Sequence, residues 1–415
     1  MRSFREVMSG VVPAAAVCLA AAPLNAQEVI ELPGEDRWLE AVIEELYQVG
    51  SAVTGEAWEQ FGQIMDVAFD RAGHLYVLDR QAQLVYVVGG DGRLIRESGG
   101  AGEGPGEFAE TAAMAVFDDG RVVVGDPSRR GYHVFAAGGE FERMVRMAEP
   151  GVASVGRVVA QPGSDAVVGV PTQSRIMVFS GAVFSVPVRF PVSHALVRII
   201  LSGEETVRDT IVEAWLPPIG SEGMDQVRIA NYAPRPTSLL PEFSPEFHWG
   251  VLPGGRVAFS DSTTYAVKVA APAAGVVRIL TRPFEPEPVT GRIIRAEKDR
   301  RLRRLEETAE PGDDLQARRR GIEGMDFHTE LSVIRGLGTT WDGHIWVLRR
   351  GDDPNDDGPI DVLSPEGRYV GSLPAGTTEL PDAFGPDGLV AIVEINELGV
   401  QTVTVKRVVA GTSGL

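Results

Sequence analysis

Four groups of side chains in this sequence have types and spacings that could do chemistry. The first is periodic. Asp79, Asp126 and Asp261 each close a run of alternating apolar residues, and Arg349 and Glu394 hold the equivalent place in two further runs. Brought to one face, these polar ends would hold a cation or a polar ligand. The alternative is that each Asp accepts backbone N–H groups of its own turn. Recurrence favours the alternative, because a structural need recurs while a ligand contact usually does not. The second group is Asp353-x-Asn355-x-Asp357-Gly358, which matches the first half of a calcium loop, with oxygen ligands at alternate positions and Gly for the sharp turn. Asp361 falls at a further ligand place, but Ser364 stands where the bidentate Glu belongs. A Ca²⁺ site at Asp353, Asn355 and Asp357 therefore competes with a solvated acidic loop, the better fit, and no other cofactor is expected.

The third group is cationic. Arg292 to Leu305 carries seven basic side chains against Glu297 and Asp299, a local charge of +5. Arg295 and Arg301 are its candidate contacts to an anion or a docking partner. The alternative is a solvated helical lid whose arginines pair with an acidic body, with Ile293, Ile294, Leu302 and Leu305 as the packing stripe. Pro311-Gly312-Asp313-Asp314 breaks this helix, and Leu315–Arg320 could resume one. The fourth group is the six histidines, His74, His133, His194, His248, His328 and His344. None forms His-x-His or His-Glu-x-x-His. His74 and His344 follow a turn Gly and are expected on the solvent side. His248 and His328 precede inner strands and could reach a central channel. No Gly-x-Ser-x-Gly elbow occurs, and no Gly-Lys-Ser/Thr follows the Gly102–Phe108 loop, so a phosphate loop is excluded.

The elements that must position these groups come from an internal repeat. Six segments share an apolar strand, a turn ending in Gly, and a second strand of alternating apolar residues. Their anchor glycines are Gly73, Gly120, Gly163, Gly255, Gly343 and Gly388, with steps of 47, 43, 92, 88 and 45. The two long steps are near twice the short ones and are read as insertions. A repeat of roughly 40–50 residues with tight hairpins is the length of one four-stranded propeller blade. Blade one reads as Ile64–Phe69, His74–Leu78, Leu84–Val88 and Leu94–Glu97. Six repeats predict an all-β, six-bladed propeller, with Glu44–Val49 completing the last blade beside Leu389–Glu394 and Val400–Val408. Residues 171–237 are too long for one blade and predict an extra hairpin or excursion. Residues 291–324 predict the helical insertion, between blades four and five. Strand order puts the strand-B ends, the Gly102–Phe108 loop, the acidic loop and this insertion on one loop-rich face. Phe108 is expected to plug a seam between blades.

Gly102-Glu-Gly-Pro-Gly-Glu-Phe108, Glu45-Leu-Tyr-Gln-Val-Gly50 and the stretch from Tyr265 to Thr290 resemble NHL-repeat six-bladed propellers of exported bacterial type, over roughly residues 38–409. The resemblance implies a fold whose members include binding scaffolds, lyases and lactonase-like hydrolases. A lactonase-like Ca²⁺ site would use Glu, Asn and Asp around the channel, yet Asn231, Asn355 and Asn396 all lie outside inner strands.

Composition bounds the rest. The 415 residues hold 39 basic and 58 acidic side chains, a charge of −19, and one cysteine. Phosphates would be repelled, so nucleic acid is not an expected partner. Residues 1–26 read as a signal peptide with Arg2 and Arg5 before a short apolar run, too short for a membrane span. Its removal would take Cys18 and shift the charge to −20, leaving a cysteine-free propeller over residues 27–415. The expectation is an exported, periplasmic or extracellular monomer that binds a protein, peptide or glycan through its loop-rich face. The competing expectation is a metal-dependent hydrolase or lyase with its site at the channel mouth.

Overall fold

The computed structural model describes residues 27–51, 55–148, 152–173, 193–217, 240–309, 314–396 and 399–410. The predicted signal peptide, with Cys18, lies outside them. Six antiparallel four-stranded sheets form the blades. Blade one comprises Ile64–Phe69, Leu75–Asp79, Leu84–Val88 and Leu94–Gly99, and blade two Ala113–Val116, Val122–Asp126, Gly131–Phe135 and Phe141–Arg146. Blade three comprises Val152–Ala160, Ala166–Gln173, Ser193–Ile200 and Val207–Trp215, and blade four His248–Val251, Val257–Ser260, Ala266–Ala271 and Gly275–Thr281. Blade five is built from Ile334–Thr339, Ile345–Arg350, Asp357–Leu363 and Tyr369–Leu373. Blade six takes three strands from the C-terminal end (Ala383–Phe384, Leu389–Ile395, Gln401–Ala410) and its outermost, Ala41–Val49, from the N-terminal end. Blade three is thus a regular sheet, and its surplus length falls in residues 174–192 and 218–239, outside the described residues.

All six anchor glycines have φ between 71° and 93°, where a Cβ would be strained. They turn strand A into strand B in every blade. The apolar alternation then serves two seams at once. In blade one Leu75 and Val77 pack toward blade six, while Tyr76 and Leu78 pack toward blade two. Each of the six seams holds one such buried cluster. A sheet buried on both faces needs apolar residues on both faces, and strand B supplies them. Phe108 is buried at the seam of blades one and two against Phe135 and His133.

The N-terminal segment does more than close blade six. Glu28–Glu31 pairs in parallel with Arg278–Thr281 as a fifth strand on blade four. The chain then crosses the outside of blade five, where the Leu39 amide donates to the Ser372 carbonyl (2.9 Å) and the Ser372 amide to the Arg37 carbonyl (2.8 Å). Gly371 permits this approach, since a Cβ there would stand 2.6 Å from the Leu39 side chain. One strap of about twenty residues therefore spans three blades. Its corner wraps a guanidinium. Arg282, fully buried, donates to Asp361 (2.7 Å), Asp36 (3.0 Å), the Pro33 carbonyl (2.8 Å) and the Glu35 carbonyl (3.1 Å). It also stacks over the Tyr369 ring at 4.3 Å.

Between blades four and five stand two helices, α1 (Gly291–Glu307) and α2 (Leu315–Glu323). Thr290 caps α1 by accepting the Ile293 amide, and Asp314 caps α2 by accepting the Ala317 amide at 2.9 Å. Ile293, Glu297 and Leu305 are the buried residues of α1, and α2 buries none.

Candidate functional site

The strand-B ends serve the seams between blades. The Asp79 carboxylate accepts the amides of Gly62 (2.7 Å), Gln63 (3.1 Å), Gln81 (2.8 Å) and Ala82 (3.2 Å). Asp126 accepts the Ala109 and Arg129 amides, and Asp261 accepts the Trp215 amide and the Lys268 ammonium. Each thus ties its own blade to the chain arriving from the blade before. Arg349 pairs with Asp36 (2.6 Å) and stacks over Phe284, inside the strap network. There the two guanidiniums overcome the effect of burial and hold the Asp36 carboxyl below its ordinary range. Glu394 accepts the Thr404 hydroxyl. No hydrogen bond or ion pair links any two of these five among the described residues.

The acidic loop and the basic insertion meet each other. Asp357 pairs with Arg335 (2.9 Å), and Asn355 donates to Glu297 (3.3 Å) on α1. Asp353 closes the turn through its carbonyl, which accepts the Asp356 amide. Glu297 is clasped by Arg300 and Arg301, and Arg301 also reaches Glu242 at 2.5 Å. Arg295 lies exposed on α1. Among the described residues, no three His, Asp or Glu side chains gather as a metal site would require.

The innermost strands wall a central channel, a cavity of about 820 Å³. Asp66, Arg157, His248, Arg335 and Asp382 line it. Counted back from the anchor glycine of each blade, they stand six to eight residues away, so all five occupy one level near the loop-rich mouth. Asp66 accepts the Met114 amide (3.3 Å) and Asp382 the Val393 amide (2.7 Å). Arg157 donates to the Trp249 carbonyl (3.3 Å) and lies over its indole at 5.2 Å.

Asp66 is half-buried in the channel wall, so its charge is poorly solvated. Burial pushes Asp66 up to about 7, against the opposing pull of the Arg157 charge and the Met114 and Val67 amides, with Asp382 adding to the rise. Burial raises Asp382 as well. His248 is drawn down to about 4 by burial and the neighbouring Arg335 charge, so it stays neutral. Sequence reasoning placed His248 here but missed the other four. His328 is tied instead to the Glu330 backbone outside the channel wall. His74 and His344 are held by Asp70 (2.8 Å) and Asp342 (3.0 Å) beside their turns.

No family model and no curated protein matches the chain. Solved structures do resemble it in fold. One is a member of a family of unknown function from Bacteroides vulgatus, at 10% identity over 90% of this chain and 100% of that one, with a TM-score of 0.49. Another is a Bacteroides fragilis protein predicted to be exported, at 11% identity over 91% and 99%, TM-score 0.46. A gluconolactonase from Xanthomonas campestris aligns at 12% identity over 88% and 90%, TM-score 0.39.

Proposed function

We propose that the chain is a ligand-binding propeller whose site is the polar ring at the loop-rich mouth of its channel. One observation carries this reading. Five of six blades place a titratable or charged side chain at the same level of the channel wall, and a cavity of this volume suits a small ligand or the end of a longer one. Structural needs would repeat one residue type, as the seam aspartates do; the ring instead mixes two aspartates, two arginines and a histidine. Export and a peptide or glycan ligand fit this reading, and the exposed Arg295 face of α1 offers a rim contact for an anionic group of a larger ligand. The test is a binding screen of sugars, organic acids and amino compounds against the wild type and an Asp66→Asn, Asp382→Asn double variant. Binding to the wild type that the double variant abolishes supports the channel. Ligands that bind both equally well, or no binding at all, reject it.

A second reading is favoured by Asp66 alone. A carboxyl that titrates near neutrality is suited to give and take protons at working pH, as a hydrolase or lyase requires. An enzyme of this kind would convert a channel-bound ligand, seen as new resonances by NMR. Asp66→Asn would keep binding and lose turnover; a ligand recovered unchanged from the wild type would reject catalysis.

A further inference from the structure

The ring is divided by charge. Both carboxyls sit on adjoining blades, Asp382 on six and Asp66 on one. Arg157, His248 and Arg335 sit on blades three, four and five. In a closed ring of six, blade three faces blade six and blade four faces blade one. Arg157 therefore opposes Asp382 across the channel, and the neutral His248 opposes Asp66. Arg335 turns its guanidinium to Asp357 (2.9 Å) and the Pro354 carbonyl (2.8 Å), so its charge is already matched. Arg157 spends one contact on the Trp249 carbonyl, and its side chain is otherwise exposed to the channel.

From this arrangement, and resting on the channel reading above, we infer that the ligand is a small zwitterion of amino-acid or short-peptide type, with its ammonium between Asp66 and Asp382 and its carboxylate on Arg157. A ligand with only a cation brings nothing to Arg157, and one with only an anion faces two carboxyls. A neutral polyol would strip water from both sets of charges and pair neither fully. A zwitterion gives each set its opposite, and an Arg fork matches a carboxylate in two hydrogen bonds. Trp249, which holds Arg157 by its carbonyl and its ring, fixes the fork before the ligand arrives. Asp66 and Asp382 are likewise fixed by backbone amides of blades two and six. The geometry is thus set before binding, which lowers the ordering cost of association.

The experiment needs only the wild-type protein and three mixtures, read by saturation-transfer NMR. The first holds free L-amino acids and dipeptides. The second holds the same compounds with the amine acetylated or the carboxylate amidated. The third holds neutral monosaccharides. The expected result is transfer to the first mixture, with blocking of either charged group weakening binding roughly tenfold or more, as loss of a charged hydrogen bond does. Free amino acids stronger than dipeptides would identify the small molecule as the source, and the reverse a chain terminus. Equal or stronger binding of blocked compounds or sugars overturns the zwitterion while leaving the channel as a binding site. No binding in any mixture overturns both. Arg157→Gln adds an arm on the protein side. It should weaken the free compounds but not the amidated ones, and an equal loss for both would also overturn the assignment.

Discussion

Arg282→Met removes a buried cation that two carboxylates and three carbonyls face. Asp361 is completely buried, and it would keep only the Ser372 hydroxyl (2.6 Å) and Arg349 at 3.3 Å. Taking one member from a buried charge network costs about 3–5 kcal/mol, because the partner is left charged and unpaired. We expect about 4 kcal/mol here. Unfolding entropy of about 2.1 cal/mol/K per residue over roughly 380 residues gives about 0.8 kcal/mol/K, so the melting temperature should fall by roughly 5 °C. The damage should also be local. The Pro33–Asp36 corner would lose its main anchor, and a protease should cut the strap between residues 27 and 40 before the blades are touched. Calorimetry and limited proteolysis with mass spectrometry measure the two effects. Adding Asp361→Asn to Arg282→Met should recover part of the loss, since Asp36 and Arg349 still pair and no lone charge then remains. A melting point within about 1 °C of wild type, with an unchanged cleavage pattern, would refute the view that Arg282 holds the strap.

Three further outcomes are expected. Asp79→Ala orphans four amides at a fully buried site and should cost about 3 kcal/mol in a urea titration. Asp79→Asn should cost less, and equal losses would contradict the hydrogen-bond account. Asp66→Asn should gain stability relative to wild type as pH rises. The folded state holds the Asp66 proton up to about pH 7 while the unfolded chain loses it near 3.8, so wild-type stability from this group is present at low pH and lost across that window. Urea midpoints that differ by a constant amount from pH 4 to pH 8 would contradict the raised carboxyl. Replacing residues 291–324 by a short linker should leave one cooperative calorimetric transition, because only Ile293, Glu297 and Leu305 of the helices are buried. Loss of that transition would show the helices to be part of the ring.

The blades were readable because their signal is repeated. Gly73 and its five counterparts mark the same strained turn, and blade one matched its expected strands within one or two residues. Glu44–Val49 was legible as the closing strand because it alternates. Glu28–Glu31 was not, being four residues with no pattern of its own, and its parallel partner lies 250 residues away. The Arg282 cage was hidden for a similar reason: its carbonyl acceptors belong to a loop whose shape only the folded blades define. The channel ring was not legible because its members differ in charge from blade to blade. Asp66, Arg157, His248, Arg335 and Asp382 share a position but mix acid, base and imidazole, and their offsets from the turn glycine vary by a residue or two where bulges intervene. The signal that would have found them is unlike residues at one register of a repeat. Like residues at one register, such as Asp79, Asp126 and Asp261, marked the scaffold.

The pairing of Ala41–Val49 with Gln401–Ala410 sets an order of events. A chain made from its N-terminal end carries that strand unpaired through the emergence of some 350 further residues. Blades one to five can collapse locally in the meantime, since their partners are near in sequence. The ring cannot close until the last strand appears, so its closing contact is among the longest-range in the chain, and such contacts fold slowly. The waiting strand is an open edge during that interval, with the hazard of pairing to another chain. Its Glu44 and Glu45 are well placed to keep it soluble until its partner arrives.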